Sequence, residues 1–377
     1  MILKNGTVFC DDFVFRNTDL ETKDNVITAL SDVSGQSEQE VLDVSGCYVI
    51  PGLVDIHTHG AMGADFCDGT QDGIETIARF LLKSGVTSFL GTTMALPEDQ
   101  LFNICKTARP LVDRVTSDQA VMRGINMEGP FFNLEKRGAQ NASYIVPPNF
   151  PMFSRLQEAS GNSIRTLAVA PDAEGGLQFI KEASSLCVIS VAHTSSGYDL
   201  AKEAFSLGAS NVTHLFNGMA PFTHREPGVV GAAFDSGAYV ELISDGVHIH
   251  PCVIRGVFQL FGDDRVCLIS DSMRACGVSD GRYELGGQTV TVKGSSATLE
   301  GGVLAGSVTT LTDCMRKAVS FGIPFESAVK AATINPAKSV RIDGEVGSLA
   351  IGKRADMLVL NSDYTLKYVI FGGILQK

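Results

Sequence analysis

The sequence predicts a closed, TIM-like (β/α)8 barrel carrying a small discontinuous β-sandwich domain formed by both chain ends. Three observations lead there. The middle of the chain repeats one unit eight times: an apolar, β-branched run, a polar residue or two, then a helical pattern. Histidines and acids recur where those runs end, and a barrel gathers its chemistry at the C-terminal ends of its strands. Both ends of the chain hold only short strand-like stretches broken by turns, too short to stand alone.

In order, residues 2–9, 13–15, 26–30 and 47–50 read as the short strands of the N-terminal part. The eight barrel strands are expected at 49–56, 86–91, 121–126, 164–170, 187–192, 211–215, 239–243 and 265–269. Helical patterns lie between most of them, for example 71–83, 97–108 and 198–207; Gly85 and Gly208 stand just past a helix, where a left-handed residue is expected. Near-continuous apolar strands alternating with helices indicate a parallel sheet buried on both faces. An open doubly wound sheet is the alternative, and the absence of GxGxxG after the first strand weakens it. Residues 280–306 read as a β insertion over one end of the barrel, followed by helices at 308–320 and 325–333 with Pro336 after the second. Residues 354–360 and 366–371 return to short strands. The expected division is 1–50 and 345–377 for the small domain and 51–344 for the barrel.

Composition narrows the function classes. A net charge of −12 argues against a nucleic-acid or anionic-membrane surface, so an anionic substrate must meet a local basic pocket. The nine cysteines are an odd number without a CxxC pair, which suits reduced thiols. No window has the roughly eighteen uncharged apolar residues of a membrane span, and no secretory h-region opens the chain. A cytoplasmic protein is expected, with a small-molecule substrate and neither nucleic acid nor membrane as partner.

The first barrel strand ends in Asp55-Ile56-His57-Thr58-His59-Gly60. Side chains two apart in an extended chain share a face, so both imidazoles can converge on one ion. Glu128 ends strand three, His193 strand five, His214 strand six and Asp271 strand eight. Imidazole with carboxylate suits a divalent metal such as zinc, iron or nickel. Six groups exceed what one tetrahedral ion with an open position needs, and two ions fit if Glu128 bridges them; one ion with idle ligands is also consistent. A paired site can hold a hydroxide nucleophile and polarise a carbonyl at once. Strand four ends without lysine, so a carboxylated-lysine bridge is not expected. Asp271 is the natural general base, able to take a proton from water and deliver it to a leaving nitrogen; plain ligation or helix capping is the bland role. Arg225, in His224-Arg225-Glu226-Pro227-Gly228, can clamp a phosphate with backbone amides around Asn217-Gly218, or simply pair with an acid. His248, after strand seven, falls near the barrel mouth, whereas His224 and His250 read as loop or helix residues.

Taken together, these segments resemble the amidohydrolase superfamily, through PGxxDxHxHG, the strand-end histidines, the strand-eight Asp and the Gly347-Ser348-Leu349…Gly352-Lys353-Arg354-Ala355-Asp356 segment. Within it the resemblance is closest to the N-acetylglucosamine-6-phosphate deacetylases, carried by Met127-Glu128-Gly129-Pro130-Phe131, His214-Leu215-Phe216-Asn217-Gly218-Met219, the HREPG segment, Asp245-Gly246-Val247-His248 and Leu304-Ala305-Gly306-Ser307. The resemblance implies metal-dependent removal of acetate from the 2-acetamido group of a sugar phosphate, by metal-bound hydroxide with Asp271 as acid/base. It implies Glu128, His193 and His214 as ligands. Ala139, Asn217, Gly218, Arg225, His248, Leu304, Ala305 and Gly306 match substrate-contacting positions. It also implies a homodimer, in which Arg225 serves its own site or its partner's. Two departures stand out. Some relatives lack the first histidine pair and use one metal, whereas this chain keeps His57 and His59; some carry a histidine where this chain has Gln140. Deacetylation of the galacto epimer is the nearest alternative, a cyclic amidase of the same superfamily a further one, and a metal-free binding protein on the same barrel the last.

Overall fold

The computed structural model describes residues 1–31 and 39–376. Eight strands form its centre: Leu53–Thr58, Val86–Thr92, Val121–Glu128, Ile164–Val169, Val188–Val191, Ala209–Val212, Tyr239–Leu242 and Val266–Leu268. They pair in chain order, every pair parallel. The barrel is nearly closed. Its eighth strand meets the first through single bonds beyond the ladder: the Asp271 amide donates to the His57 carbonyl (2.9 Å) and the His59 amide to the Ser272 carbonyl (2.8 Å). The Thr58 and Ser272 hydroxyls bond at 2.8 Å.

Each strand is enclosed by side chains inside the barrel and helices outside, so its sequence is apolar on both faces; every residue of Val86–Thr92 and Val121–Glu128 is buried. Helix Gln71–Lys83 shows how the outer layer forms. The Thr70 hydroxyl accepts the Gly73 amide at its start, and Ile74, Ile77, Ala78, Leu81 and Leu82 line one face at helical spacing. Gly85, just beyond its end, has φ +96°. Phe66 fills the space beside Gly91, where a Cβ would lie 2.3 Å from the ring.

Helix starts differ slightly from expectation, for capping reasons. The helix expected at 97 begins at Glu98 because Pro97 holds the N-cap position. The one expected at 308 begins at Leu311, where the Thr310 hydroxyl accepts the Asp313 amide. Pro336 lies inside a further short helix, Ile334–Ser339, in its first turn, where a missing amide costs nothing.

The insertion is a three-stranded antiparallel sheet, Gly281–Leu285, Gln288–Lys293 and Ser296–Leu299. It is tied down by Gln288, whose amide donates to the Ala139 carbonyl at 2.5 Å.

The chain ends share one eight-stranded sheet, in which Met357–Leu360 runs antiparallel to Tyr48–Pro51. The sheet is continuous and carries its own apolar cluster of Leu3, Val8, Leu20, Ile27, Val49, Met357, Val359 and Ile370, while Ile50, Leu358 and Leu360 join the main core. Of the strand Phe15–Lys23 the expectation caught only Phe15, because beyond it only Leu20 and Thr22 are buried and the other residues are polar. None of the nine cysteines is paired, and no helix among the described residues is long and apolar enough to cross a membrane.

Candidate active site and metal centre

All six residues expected at the strand ends converge. Glu128 stands at the middle: its Oε1 lies 3.2 Å from His193 Nε2, 3.0 Å from His214 Nε2 and 3.7 Å from His57 Nε2. Its Oε2 lies 3.4 Å from His59 Nε2. The Nε2 atoms of His57 and His59 are 3.3 Å apart, those of His193 and His214 3.1 Å. Asp271 Oδ1 faces the first pair at 3.4 and 3.3 Å. Two clusters of three donors result, His57/His59/Glu128 and Glu128/His193/His214, with the glutamate common to both.

The donor chemistry fits divalent ions. His193 Nδ1 lies 2.9 Å from the Lys136 carbonyl, which only accepts, so that nitrogen carries the hydrogen and Nε2 presents its lone pair. His57 Nδ1 is held the same way by Glu241 Oε2 at 2.9 Å. The Nε2 lone pairs of His57 and His193 and the oxygens of two carboxylates then crowd together with the other two rings, at separations of 3.0–3.7 Å. That arrangement repels itself unless cations lie between. Donors about 2.1 Å from one tetrahedral centre sit about 3.4 Å apart, close to the separations seen. Without an ion the cluster holds protons instead. Burial pushes the His57 pKa down, but the Glu241, Asp271 and Glu128 carboxylates outweigh it and raise it to about 10. Burial likewise works against ionised Glu128, yet the neighbouring imidazoles hold it well below the usual carboxylate range, and Asp271 is lowered by His57 and His59 in the same way.

The backbone is strained where three of these side chains leave their strands. His193, His214 and Asp271 have φ of +43°, +27° and +49°, conformations that non-glycine residues rarely adopt and that cluster at functional sites. Gly218 explains how His193 is seated. A Cβ there would lie 2.8 Å from His193 Nδ1, and its φ of +62° suits glycine.

A cavity of about 370 Å³ opens over the cluster. Its walls include Ala139, Asn217, Gly218, His248, Leu304 and Gly306, all expected substrate positions, together with His59, Glu128, His193, His214 and Asp271. His248 is braced from behind: Asp245 takes its Nδ1 at 2.8 Å and its amide at 2.8 Å. Two expected substrate positions are not brought to the cavity. Ala305 is fully buried, its amide bonded to the Ala297 carbonyl, so it anchors Leu304 and Gly306 to the sheet from beside it. Arg225 lies in an exposed loop of polar and turn residues, outside the cavity wall, because the helix that follows begins only at Gly228. His250 caps helix Pro251–Phe261, its ring accepting the Cys252 amide.

The amidohydrolase family matches residues 48–375, which takes in the whole barrel and the C-terminal strands. The chain belongs to the amidohydrolase family. Among curated amidohydrolase relatives, an N-acetylglucosamine-6-phosphate deacetylase of Bacillus subtilis (strain 168) is 33% identical over 99% of this chain and 96% of its own. An N-acetylgalactosamine-6-phosphate deacetylase of Escherichia coli O157:H7 is 31% identical over 94% of each. A solved N-acetyl-D-glucosamine-6-phosphate deacetylase from Mycobacterium smegmatis, a mutant in complex with N-acetyl-D-glucosamine-6-phosphate, superposes with a TM-score of 0.93. It is 29% identical over 100% of this chain and 98% of that one.

This amidohydrolase site also contains groups that strand-end reasoning passes over. Glu241 lies within strand Tyr239–Leu242, between fully buried Val240 and Leu242. The signal was a lone acid inside an apolar run. Gln140 lines the cavity, donating to Glu128 Oε2 at 2.8 Å. Met94, Leu285 and Val303 complete its apolar wall, and nothing in their spacing marks them.

Proposed function

We propose that the protein removes acetate from N-acetylglucosamine-6-phosphate, leaving glucosamine-6-phosphate. One observation carries this reading: five metal-type donors, His59, Glu128, His193, His214 and Asp271, face the same cavity as Asn217, Gly218 and His248, and it is sized for one small polar molecule. His57, His59, Glu128, His193, His214 and Asp271 would hold one or two divalent ions, of zinc, iron or nickel type. Such an ion polarises an amide carbonyl and makes water nucleophilic near neutral pH. Asp271 takes the proton of the attacking water and returns it to the departing amine nitrogen. Its seat beside two imidazoles keeps it ionised for the first of those steps. Asn217, Gly218, Ala139, Leu304 and Gly306 carry the sugar, with Ala305 buried beside the last two.

His248 binds the 6-phosphate together with Arg225, which reaches either its own cavity or that of a second copy in a cytoplasmic homodimer. An apolar second cavity that includes Phe222 and Val253 shares His248 with the first, and both of those side chains are exposed. A second copy covering this face would bring its own Arg225 loop close to His248.

Acetate release by metal-reconstituted protein tests the reading, with N-acetylglucosamine-6-phosphate, its galacto epimer and unphosphorylated N-acetylglucosamine compared. Strong preference for the phosphorylated gluco sugar is expected. Preference for the epimer would transfer the assignment to the activity of the E. coli relative, and no turnover of any of the three would end it.

A further inference from the structure

We propose that Glu241 is a positioning residue that sets the strength of the His57/His59 half of the centre while leaving the His193/His214 half independent. The inference rests on the metal-site reading above. Glu241 is 1% exposed, and a carboxylate is retained in such a place only where it is paired. Its Oε2 is shared: it accepts from His57 Nδ1 at 2.9 Å and from the His214 amide at 3.2 Å. Its Oε1 has no partner among the described residues.

The two halves therefore differ in how their ligands are backed. His57 is backed by a full negative charge, which raises the donor strength of its Nε2 and fixes its tautomer. His193 is backed only by the neutral Lys136 carbonyl. His214 meets Glu241 through its backbone alone, and its own Nδ1 has no partner among the described residues. Two divalent ions bring four positive charges, of which Glu128 and Asp271 offset two. Glu241 would supply a third, relayed through the His57 ring. A chain keeping the first histidine pair without this carboxylate would hold its second ion weakly.

Binding of Zn2+ to the metal-free full-length protein, read against a competing chromophoric chelator, tests this without reference to turnover. Glu241→Gln keeps the size of the side chain and an oxygen for the His57 ring, but removes the charge. Wild-type protein should bind Zn2+ in two classes, one of them abolished by His59→Asn. E241Q should lose about 10–100-fold in that class and stay within about 2-fold in the other. Equal loss in both classes, or none in either, overturns the proposal. If E241Q does not fold, Glu241→Asp withdraws the charge by one methylene; a selective, smaller loss supports the proposal and unchanged binding overturns it. Failure of acetate release with the selective Zn2+ loss intact would sink the substrate assignment alone.

Discussion

Gln140 grips Glu128 in a fixed orientation: its Nε2 donates to Glu128 Oε2 at 2.8 Å while its Oε1 accepts the Ala95 amide at 2.7 Å. The Ala95 amide can only donate, which settles which end of the side-chain amide is which. Glutamine does not titrate, whereas histidine does so near pH 6.5, at about its ordinary pKa. Gln140→His should therefore add a limb to the pH–rate profile that the wild-type enzyme lacks. An unchanged profile in an active Q140H would mean that this side chain has no access to the reacting groups.

Asp271→Asn preserves shape and removes the proton acceptor. Turnover should fall by about 10²–10⁴-fold, the usual range for a general acid–base group. Ions bound at His193, His214 and Glu128 should stay. Elemental analysis of the purified variant separates loss of chemistry from loss of metal.

Arg225→Ala should leave thermal stability within about 0.5 kcal/mol, since the residue is exposed and outside the core. If it meets the phosphate, kcat/KM for the phosphorylated sugar falls by about 10–100-fold, equivalent to about 1.5–3 kcal/mol for a charged hydrogen bond. The unphosphorylated sugar should be unaffected, so the ratio of the two substrates is the quantity to measure.

Asp245 links the site to acid stability. Burial raises its pKa, but the His248 side chain and the amides of His248 and Val247 outweigh burial and hold it below its ordinary 3.8. A lowered carboxyl pKa means that the folded protein binds fewer protons than the unfolded chain. The stabilisation is complete above pH 3.8 and disappears as pH falls through the lower folded value. Asp245→Asn should cost about 1.5–3 kcal/mol at neutral pH. The gap in Tm between wild type and variant should close below that pH.

Gly91→Ala tests the packing beneath the site. The added Cβ would meet the Phe66 ring at 2.3 Å, in the middle of the main core. Overpacking of this kind costs about 1–3 kcal/mol. Urea denaturation should show a lower midpoint with an unchanged slope.

How much of this was legible depended on where a residue sits in its strand. His57, His59, Glu128, His193, His214 and Asp271 end apolar runs, and the barrel brings such positions to one mouth, so pattern alone assembled them. Glu241 sits inside its strand and reaches His57 only through a contact spanning 184 residues, which no local spacing reveals. Most of the polar strand Phe15–Lys23 stayed hidden because its pairing is between backbones and only two of its side chains are buried. Arg225 shows the converse. Its motif is distinctive, but a motif specifies residue types, and the exposed loop that carries it leaves Arg225 outside the cavity wall.

The bond from the Asp271 amide to the His57 carbonyl spans the seam where the barrel closes. Until the eighth strand has been synthesised and docked, His57 and His59 stand at an open sheet edge with Glu128 but without Asp271, the second carboxylate that faces them. A nascent chain that stops short of Asp271 holds every imidazole of the centre yet lacks that half of the cage. A divalent ion held by the His57/His59 pair would therefore be fully caged only once the barrel has closed. During refolding, its ion should become resistant to chelators only when the amides of the first strand cease to exchange with solvent.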